Sequence, residues 1–159
     1  MKKWYFSLLV AMLPIVAAMF SSCSKNDYPQ VKVDLDVGAG GTVVDGVIYA
    51  GHGATLVINK IDVTNVEEGK PADLVNVRYY WDGIYWDRTP TAASGYTEFP
   101  TAFTTVGEHT IGVDGLILAL GKSVAFGRAK FPVVVVEKEE DIPYSNGGNK
   151  VQVITTMDE

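Results

Sequence analysis

Residues 75–86 read VNVRYYWDGIYW, and this stretch decides the fold class. From position 75 to position 81, apolar or aromatic side chains occupy every odd position, which is the period-2 pattern of a β-strand with one buried face. Asp82-Gly83 follows, and Ile84-Tyr85-Trp86 forms the return segment. An Asp-Gly pair between two such runs indicates a hairpin, because both central residues of a type I′ turn need positive φ. The stretch therefore predicts two antiparallel strands.

The same signals recur towards the N-terminus. Residues 31–37 alternate in the same way, and Asp45-Gly46 joins two short apolar runs in a further predicted hairpin. Between positions 55 and 65 the apolar residues change parity. That change predicts a bulge or a break near Asn59-Lys60.

Towards the C-terminus, a third Asp-Gly pair, Asp114-Gly115, is predicted to end the strand 109–113. Residues 116–120 are all apolar and fit either a buried strand or one helical turn. Short strands separated by turns, with no long amphipathic segment after residue 23, predict an all-β antiparallel sandwich of about 7–9 strands. The predicted core includes Val33, Leu35, Ile58, Val77, Tyr79, Ile111, Val113, Phe126 and Val134.

A family resemblance rests on the middle of the chain. Residues 77–83 read VRYYWDG, Phe99-Pro100 follows, and residues 105–113 read TVGEHTIGV. This stretch resembles immunoglobulin-like modules of bacterial surface proteins. The resemblance implies an immunoglobulin-like β-sandwich in which the later strand pairs back across the sandwich. It implies little about function, because such folds host many functions.

The first 22 residues are interpreted as a signal peptide. Met1-Lys2-Lys3 is positively charged, Trp4 to Phe20 is an apolar run, and Ser21-Ser22 provides a small-residue exit. A transmembrane anchor is the alternative, but the run is short for a span and Pro14 interrupts it.

Cys23 is the only cysteine and directly follows this segment. The arrangement resembles a Bacteroidetes-type lipoprotein signal, in which the Cys becomes the N-terminus and carries acyl chains. Phe20 stands where the family usually has Leu, and Asp27 is the only acid in the segment Ser24-Lys25-Asn26-Asp27 that follows the Cys. The resemblance implies lipidation of Cys23 and anchoring in the outer membrane, on the cell surface or facing the periplasm. A secreted protein with a free thiol is the alternative.

The remaining chain divides into three segments. Residues 23–30 are expected to form a lipidated tether, and residues 31–136 the sandwich. Residues 137–159 begin with the charge run EKEED and are interpreted as an acidic linker. Their later part, Val151–Thr155, either adds one strand or forms a tail.

The charge balance excludes one class of partner. The formal net charge is −6, and removing residues 1–22, with two lysines and no acid, leaves −8 on 137 residues. An acidic chain is repelled by phosphate backbones, so we predict no nucleic-acid binding. The predicted partners are the membrane, through the lipid, and a glycan or a surface protein.

Residues for catalysis, metal or cofactor binding lack the required spacing. His52 and His109 are far apart, and neither a paired-His zinc motif nor a serine-nucleophile elbow is present. Asp34 and Asp36 resemble the start of a calcium loop, but its later ligands are missing. We therefore predict no catalytic residue, no metal and no cofactor, with His109 as a hydrogen-bonded structural histidine.

Aromatic residues of the central hairpin are the candidate functional residues. Tyr80, Tyr85 and Trp86 could stack on sugars or contact a protein, or they could only hold the hairpin together. Three hypotheses follow: a non-enzymatic adhesion or assembly module, a glycan-binding accessory of a polysaccharide uptake system, or a small hydrolase or inhibitor. A coplanar exposed patch of the three rings would favour glycan binding, and a His–carboxylate cluster in a pocket would favour the enzyme.

Overall fold

The computed structural model describes residues 29–89, 95–145 and 147–155. These residues form eleven β-strands and two 3-10 helices of three residues each, Thr101–Phe103 and Glu139–Asp141. Among them, no helix has the length and apolar character needed to cross a membrane. The strands are β1 Val31–Val37, β2 Gly41–Val44, β3 Val47–Gly51, β4 Thr55–Asn65, β5 Lys70–Pro71, β6 Asp73–Trp81, β7 Ile84–Thr89, β8 Thr97–Pro100, β9 Gly107–Ala119, β10 Lys122–Val136 and β11 Lys150–Ile154.

The strands form two sheets around one apolar core. The first sheet has the order β11-β1-β4-β5, with β8 also paired to β4, and the second has the order β2-β3-β10-β9-β6-β7. Within the described strands, β3 and β10 are the parallel pair, and the other pairs are antiparallel. The predicted all-β sandwich is confirmed. The strand number exceeds the expected 7–9 because short segments such as the two-residue β5 also pair.

Both predicted Asp-Gly hairpins are confirmed. Asp45 and Gly46 have φ of 50° and 77°, and Asp82 and Gly83 have φ of 49° and 80°. Positive φ at both central residues is the type I′ conformation, whose twist matches that of the flanking strands. Trp81 pairs with Ile84 across the second of these turns, as the sequence predicts.

The third Asp-Gly pair is not a turn, and the prediction that it ends a strand is wrong. Asp114 and Gly115 lie inside β9, and the hairpin turn to β10 is Leu120-Gly121, with φ of 50° and 74°. A Cβ on Gly115 would lie 2.1 Å from the carbonyl oxygen of Asn76 on β6. Glycine at 115 therefore serves a close backbone approach beside a bulge in β6.

Bulges explain where the buried positions change parity. In β4, Asp36 pairs with Lys60 and Val37 with Ile58, which confirms the bulge predicted near Asn59-Lys60. In β10, a register shift between Phe126 and Ala129 was not predicted. It moves burial to Phe131, Val133 and Val135 and leaves Val134 only half-buried, so the assignment of Val134 to the core is wrong. The other predicted core residues, namely Val33, Leu35, Ile58, Val77, Tyr79, Ile111, Val113 and Phe126, are at most 3% exposed.

Pairing of distant segments completes the sheets. Strand β9 is hydrogen-bonded to β6 within the second sheet, where Trp81 pairs with Ile111, so it does not lie across the sandwich from β6. Strand β11 pairs with β1 from Lys32 to Asp36, so the first sheet includes residues beyond position 136. The proposed signal peptide, residues 1–22, and Cys23 lie outside the described residues.

Candidate ligand-binding groove

The β6–β7 hairpin carries the aromatic residues that the sequence singles out. Tyr80 pairs with Tyr85, but the register then shifts and makes Trp86 the extra residue of a bulge. A bulge re-aims the side chain of its extra residue. The Trp86 ring stacks on Phe99 of the first sheet, with centroids 5.6 Å apart and planes 29° apart. Trp86 thus bridges the two sheets at the edge of the sandwich.

Four rings form a continuous series at this end of the molecule. Phe99, which is 2% exposed, lies between Trp86 and Trp81, and its centroid is 5.4 Å from that of Trp81. The imidazole of His109 lies on from Trp81, with ring centroids 5.3 Å apart and planes 31° apart. Offset ring contacts of this kind contribute beyond the area they bury. The series is therefore part of the packing of the sandwich.

Both indole N–H groups have acceptors. Trp81 Nε1 donates to Thr104 Oγ1 at 3.2 Å, and Trp86 Nε1 donates to the carbonyl oxygen of Glu98 at 2.9 Å. These bonds fix the ring orientations. Trp86 is nevertheless 42% exposed, so a large part of its ring remains accessible to a ligand.

An adjacent 3-10 helix supplies a further ring. Thr101 Oγ1 contacts the carbonyl oxygens of Gly51 and Ala54, each at 2.7 Å, and thereby holds the helix against the body of the sandwich. Phe103 at the end of this helix is 89% exposed. Because Thr101 fixes the backbone of this helix, the apolar ring of Phe103 is held in solvent on a rigid support.

Together these residues form a cavity of about 290 Å³, here called the aromatic groove. Its size is near the lower end of small-molecule sites, which begin at about 300 Å³. Apolar ring surface and a few polar atoms line it together, which is the usual composition of a binding site. The groove is lined by Trp81, Asp82, Trp86, Phe99, Pro100, Phe103, Thr104, Thr105 and His109.

His109 and Asp82 form the titratable pair of the groove. His109 Nδ1 lies 2.6 Å from Asp82 Oδ2, and His109 Nε2 lies 2.6 Å from the carbonyl oxygen of Thr105. A carboxylate and a carbonyl can only accept, so each contact is best satisfied when the imidazole donates. Asp82 is held in turn, because its Oδ1 accepts from the backbone N–H of Thr110 at 2.8 Å.

The surroundings raise the pKa of His109 above its ordinary value of 6.5. Burial of the imidazole lowers the pKa, but the hydrogen bond to Asp82, the backbone acceptor at Thr105 and the charge of Asp82 together outweigh it. The protonated ring is the form that donates from both nitrogens.

The position of Thr104 determines whether the imidazole could activate its hydroxyl. Thr104 Oγ1 lies 3.2 Å from Nε2 and 3.5 Å from Nδ1, at similar distances from both ring nitrogens. Nε2 points its proton at Thr105, so it has no lone pair with which to activate the Thr104 hydroxyl. A His–carboxylate pair is present in a pocket, as the enzyme hypothesis requires, but each nitrogen of the imidazole faces an acceptor oxygen.

The other two candidate aromatics lie on the opposite face of the second sheet. Tyr80 is 8% exposed, because the guanidinium of Arg128 lies 3.5 Å from its ring centroid. Tyr85 contacts Tyr80 edge to face at 6.0 Å and is 54% exposed. Tyr80, Tyr85 and Trp86 therefore do not form the coplanar exposed patch that would favour glycan binding. Alternation along the strand and the bulge at Trp86 separate these rings.

Several residues of the aromatic groove were not predicted from the sequence to belong to a site. Phe99 and Phe103 come from β8 and the 3-10 helix, and only the sheet pairing of β8 with β4 brings them beside β7. Asp82 was assigned only as a turn residue. No local signal in the sequence pairs it with His109, which is 27 positions away.

The remaining sequence predictions concern metal ligands, His52 and the lipidation of Cys23. Within residues 29–89, 95–145 and 147–155, no group of three or more His, Cys, Asp or Glu side chains could hold a metal ion. His52 is exposed in the turn after β3. Cys23 lies outside the described residues, and its lipidation stays a prediction.

Comparisons with known proteins give a distant structural likeness. No protein-family model matches the chain, and no curated protein matches it. A solved structure of fibronectin(III)-like modules of Clostridium thermocellum CbhA is similar, with 14% identity and a TM-score of 0.45. The match covers 75% of this chain and 53% of that chain, so this chain spans about half the length of its structural neighbour.

Proposed function

We propose that this protein is a non-enzymatic binding module, held at the outer membrane by acyl chains on Cys23, with the aromatic groove as its ligand contact. Adhesion to a partner surface or assembly with a surface protein is the activity that such a module performs. The proposal rests above all on the exposed rings at the groove, Phe103 and Trp86, which are 89% and 42% exposed.

The cost of exposing these rings supports a binding role. Leaving a large apolar side chain in water forgoes about 1.5–3 kcal/mol of burial free energy. Aromatic residues are also the preferred anchors of binding surfaces. Phe103 stands on a helix that Thr101 fixes to the sandwich, so its ring is presented from a rigid base.

The groove favours binding over catalysis. His109 donates to the carbonyl oxygen of Thr105 and to Asp82, so neither ring nitrogen is positioned as a general base. A small hydrolase would need a nucleophile within reach of an unprotonated nitrogen.

A glycan is the second candidate ligand, which would make the protein an accessory of a polysaccharide uptake system. The observation in its favour is the combination of flat ring faces with polar groups, from Asp82 and Thr105, in a groove of about 290 Å³. Tryptophan and phenylalanine faces can cover the apolar face of a sugar, while the polar groups meet its hydroxyls.

Ligand binding is tested with two exposed aromatic residues. Phe103→Ala should abolish retention of the protein on its ligand, found with an array of neutral glycans and with isolated cell surfaces, while leaving the unfolding midpoint unchanged. Tyr144→Ala is the matched control, because Tyr144 is 86% exposed and does not line the groove. Equal binding by both variants and the unaltered chain would contradict the assignment of the groove.

Anchoring is tested separately. Cys23→Ala should move the protein from the membrane fraction to the soluble fraction, because two or more acyl chains give stable anchoring. Ser24→Ala, which keeps the Cys, should remain with the membrane. A Cys23→Ala protein that stays membrane-bound after a carbonate wash would show that the lipoprotein interpretation is wrong.

A further inference from the structure

A second and larger cavity, of about 600 Å³, lies on the outer face of the second sheet. The aromatic groove opens where β6 and β7 meet the first sheet, whereas this cavity faces away from that sheet. Its charged lining comes from three neighbouring strands: Arg78 on β6, Asp114 on β9, and Arg128 and Lys130 on β10. We call it the cationic cavity.

One buried carboxylate organises the cationic cavity. The side chain of Asp114 is 10% exposed and receives both guanidinium groups. Arg78 Nε donates to Oδ1 at 2.7 Å, while Nε and Nη2 of Arg128 donate to Oδ2, both at 3.3 Å. Two arginines thus share one acid, and this group of three side chains carries a net positive charge in a chain of net charge −6.

The arginines keep donors for a further partner. A guanidinium has five N–H donors in a fixed fork. Within the described part of the chain, the bonds to Asp114 engage one donor nitrogen of Arg78 and two of Arg128. The side chains of Arg78 and Arg128 are 48% and 33% exposed, so both are partly accessible to solvent.

The backbone is shaped to hold Arg128 in this position. The bulge between Phe126 and Ala129 interrupts the regular alternation of β10 where Arg128 lies. Gly112 on β9 provides the space that Arg128 crosses to reach the Tyr80 ring, because a Cβ there would lie 2.9 Å from Arg128 Cδ. Buried Asp114, the bulge and Gly112 therefore fix one guanidinium over an aromatic ring at the cavity.

We propose that the cationic cavity binds the oxyanion of an acidic saccharide, a carboxylate or a sulfate carried on a sugar ring. Guanidinium forks match these planar or tetrahedral oxyanions in geometry and charge. Tyr85 does not line the cavity, but its exposed ring lies beside it and is the surface on which the sugar itself would pack. It is 54% exposed and stands against Tyr80, whose ring Arg128 covers. The inference requires that the protein is a binding module, but it does not require a ligand in the aromatic groove.

The test is calorimetric titration of the full chain in neutral detergent. Trigalacturonate and a sulfated galactose trisaccharide supply the two oxyanions, and the neutral galactose trisaccharide is the uncharged counterpart. We expect binding of at least one acidic probe and at least tenfold weaker affinity for the neutral one. Arg128→Gln should weaken acidic-probe binding at least tenfold. Lys122→Gln, the control, removes the same charge from an exposed site at the far end of β10 and should change affinity less than twofold.

Arg78→Gln guards against a folding defect in Arg128→Gln, because it leaves both Arg128 contacts to Asp114 in place. It should also weaken acidic-probe binding at least tenfold. Failure of the unaltered chain to bind either acidic sugar, equal losses in the Lys122→Gln control, or hexaglutamate binding as tightly as the sugars would overturn the proposal. Phe103→Ala should leave acidic-probe binding intact. Its effect on neutral or surface ligands therefore separates failure of the groove from failure of the cavity.

Discussion

The inner and outer sides of the β6–β7 hairpin use aromatic residues in opposite ways. On the inner side, Trp81 and Trp86 pack on Phe99 and donate their indole N–H groups to fixed acceptors. On the outer side, Tyr80 is covered by the charged side chain of Arg128, and Tyr85 stands in solvent. The inner rings hold the two sheets together, whereas the outer rings accompany a charged cluster. Stability should therefore depend on the inner side far more than on the outer side.

The largest expected effect comes from Phe99, the central ring of the inner series. Phe99→Ala should reduce the free energy of unfolding by about 3–5 kcal/mol, because it opens a cavity between three aromatic rings. Tyr85→Ala on the outer side should change it by less than about 0.5 kcal/mol. Urea unfolding of both variants measures the contrast, and similar losses would show that the two sides do not differ.

Trp86 tests whether its half-exposed ring is part of the packing. Trp86→Ala should cost about 1–3 kcal/mol, less than Phe99→Ala, because the ring is 42% exposed. Trp86→Phe keeps a ring against Phe99 but loses the bond to the Glu98 carbonyl, so it should retain most of the stability. If the Trp86→Ala protein is as stable as the unaltered chain, Trp86 does not contribute to packing and, like Tyr85, is available only for binding.

The turn that joins the two strands gives a smaller and purely conformational effect. Gly83 has a φ of 80°, and an added Cβ would meet nothing within 4 Å. Gly83→Val should therefore destabilise by about 1–2 kcal/mol through backbone strain alone. Gly83→Asn, which tolerates this conformation, should cost clearly less. If both variants unfold at the same urea concentration as the parent, the turn does not determine the pairing of β6 with β7.

The smallest effect is the dependence of stability on pH through His109. Its pKa is raised in the folded protein, so the folded state holds the proton more tightly than the unfolded state, whose pKa is near 6.5. The stabilisation is complete below pH 6.5 and is lost as the pH rises through the folded-state pKa. Unfolding free energies measured from pH 5 to 9 should show this decline. It should persist in His52→Gln, whose side chain is exposed, and disappear in His109→Gln.

Local patterns predicted the sandwich and much of its core, because strand alternation and Asp-Gly turns are properties of short segments. Asp82-Gly83 and the bulge near Asn59-Lys60 are examples. The failures involve distant partners. Asp114-Gly115 has the composition of a turn, but Gly115 is required by a backbone 39 positions away, at Asn76. Whether Tyr80 is exposed was left open by the sequence, because its cover comes from Arg128 on another strand.

The groove and the cavity were less predictable than the fold for the same reason. Tyr85 and Trp86 could be identified as candidates from composition, and alternation along β7 places these two neighbours on opposite faces. The bulge at Trp86 depends on the pairing of β7 with β6, which the sequence of β7 alone does not reveal. The order of the strands in the sheet brings Asp82 to His109, and it brings Asp114 to two arginines. Alternation along one strand does not reveal these contacts.

The first sheet cannot be completed until β11 is available to pair with β1. The backbone N–H of Val31 donates to the buried hydroxyl of Thr155, 124 positions later, and the neighbouring strand pairs are similarly distant. During synthesis, or during passage through a membrane with the N-terminus first, β1 emerges long before this partner. One edge of the first sheet then stays open, with the aggregation hazard of an unpaired strand. The last residues of the described chain thus cover the edge of β1, and truncating them would expose that edge again.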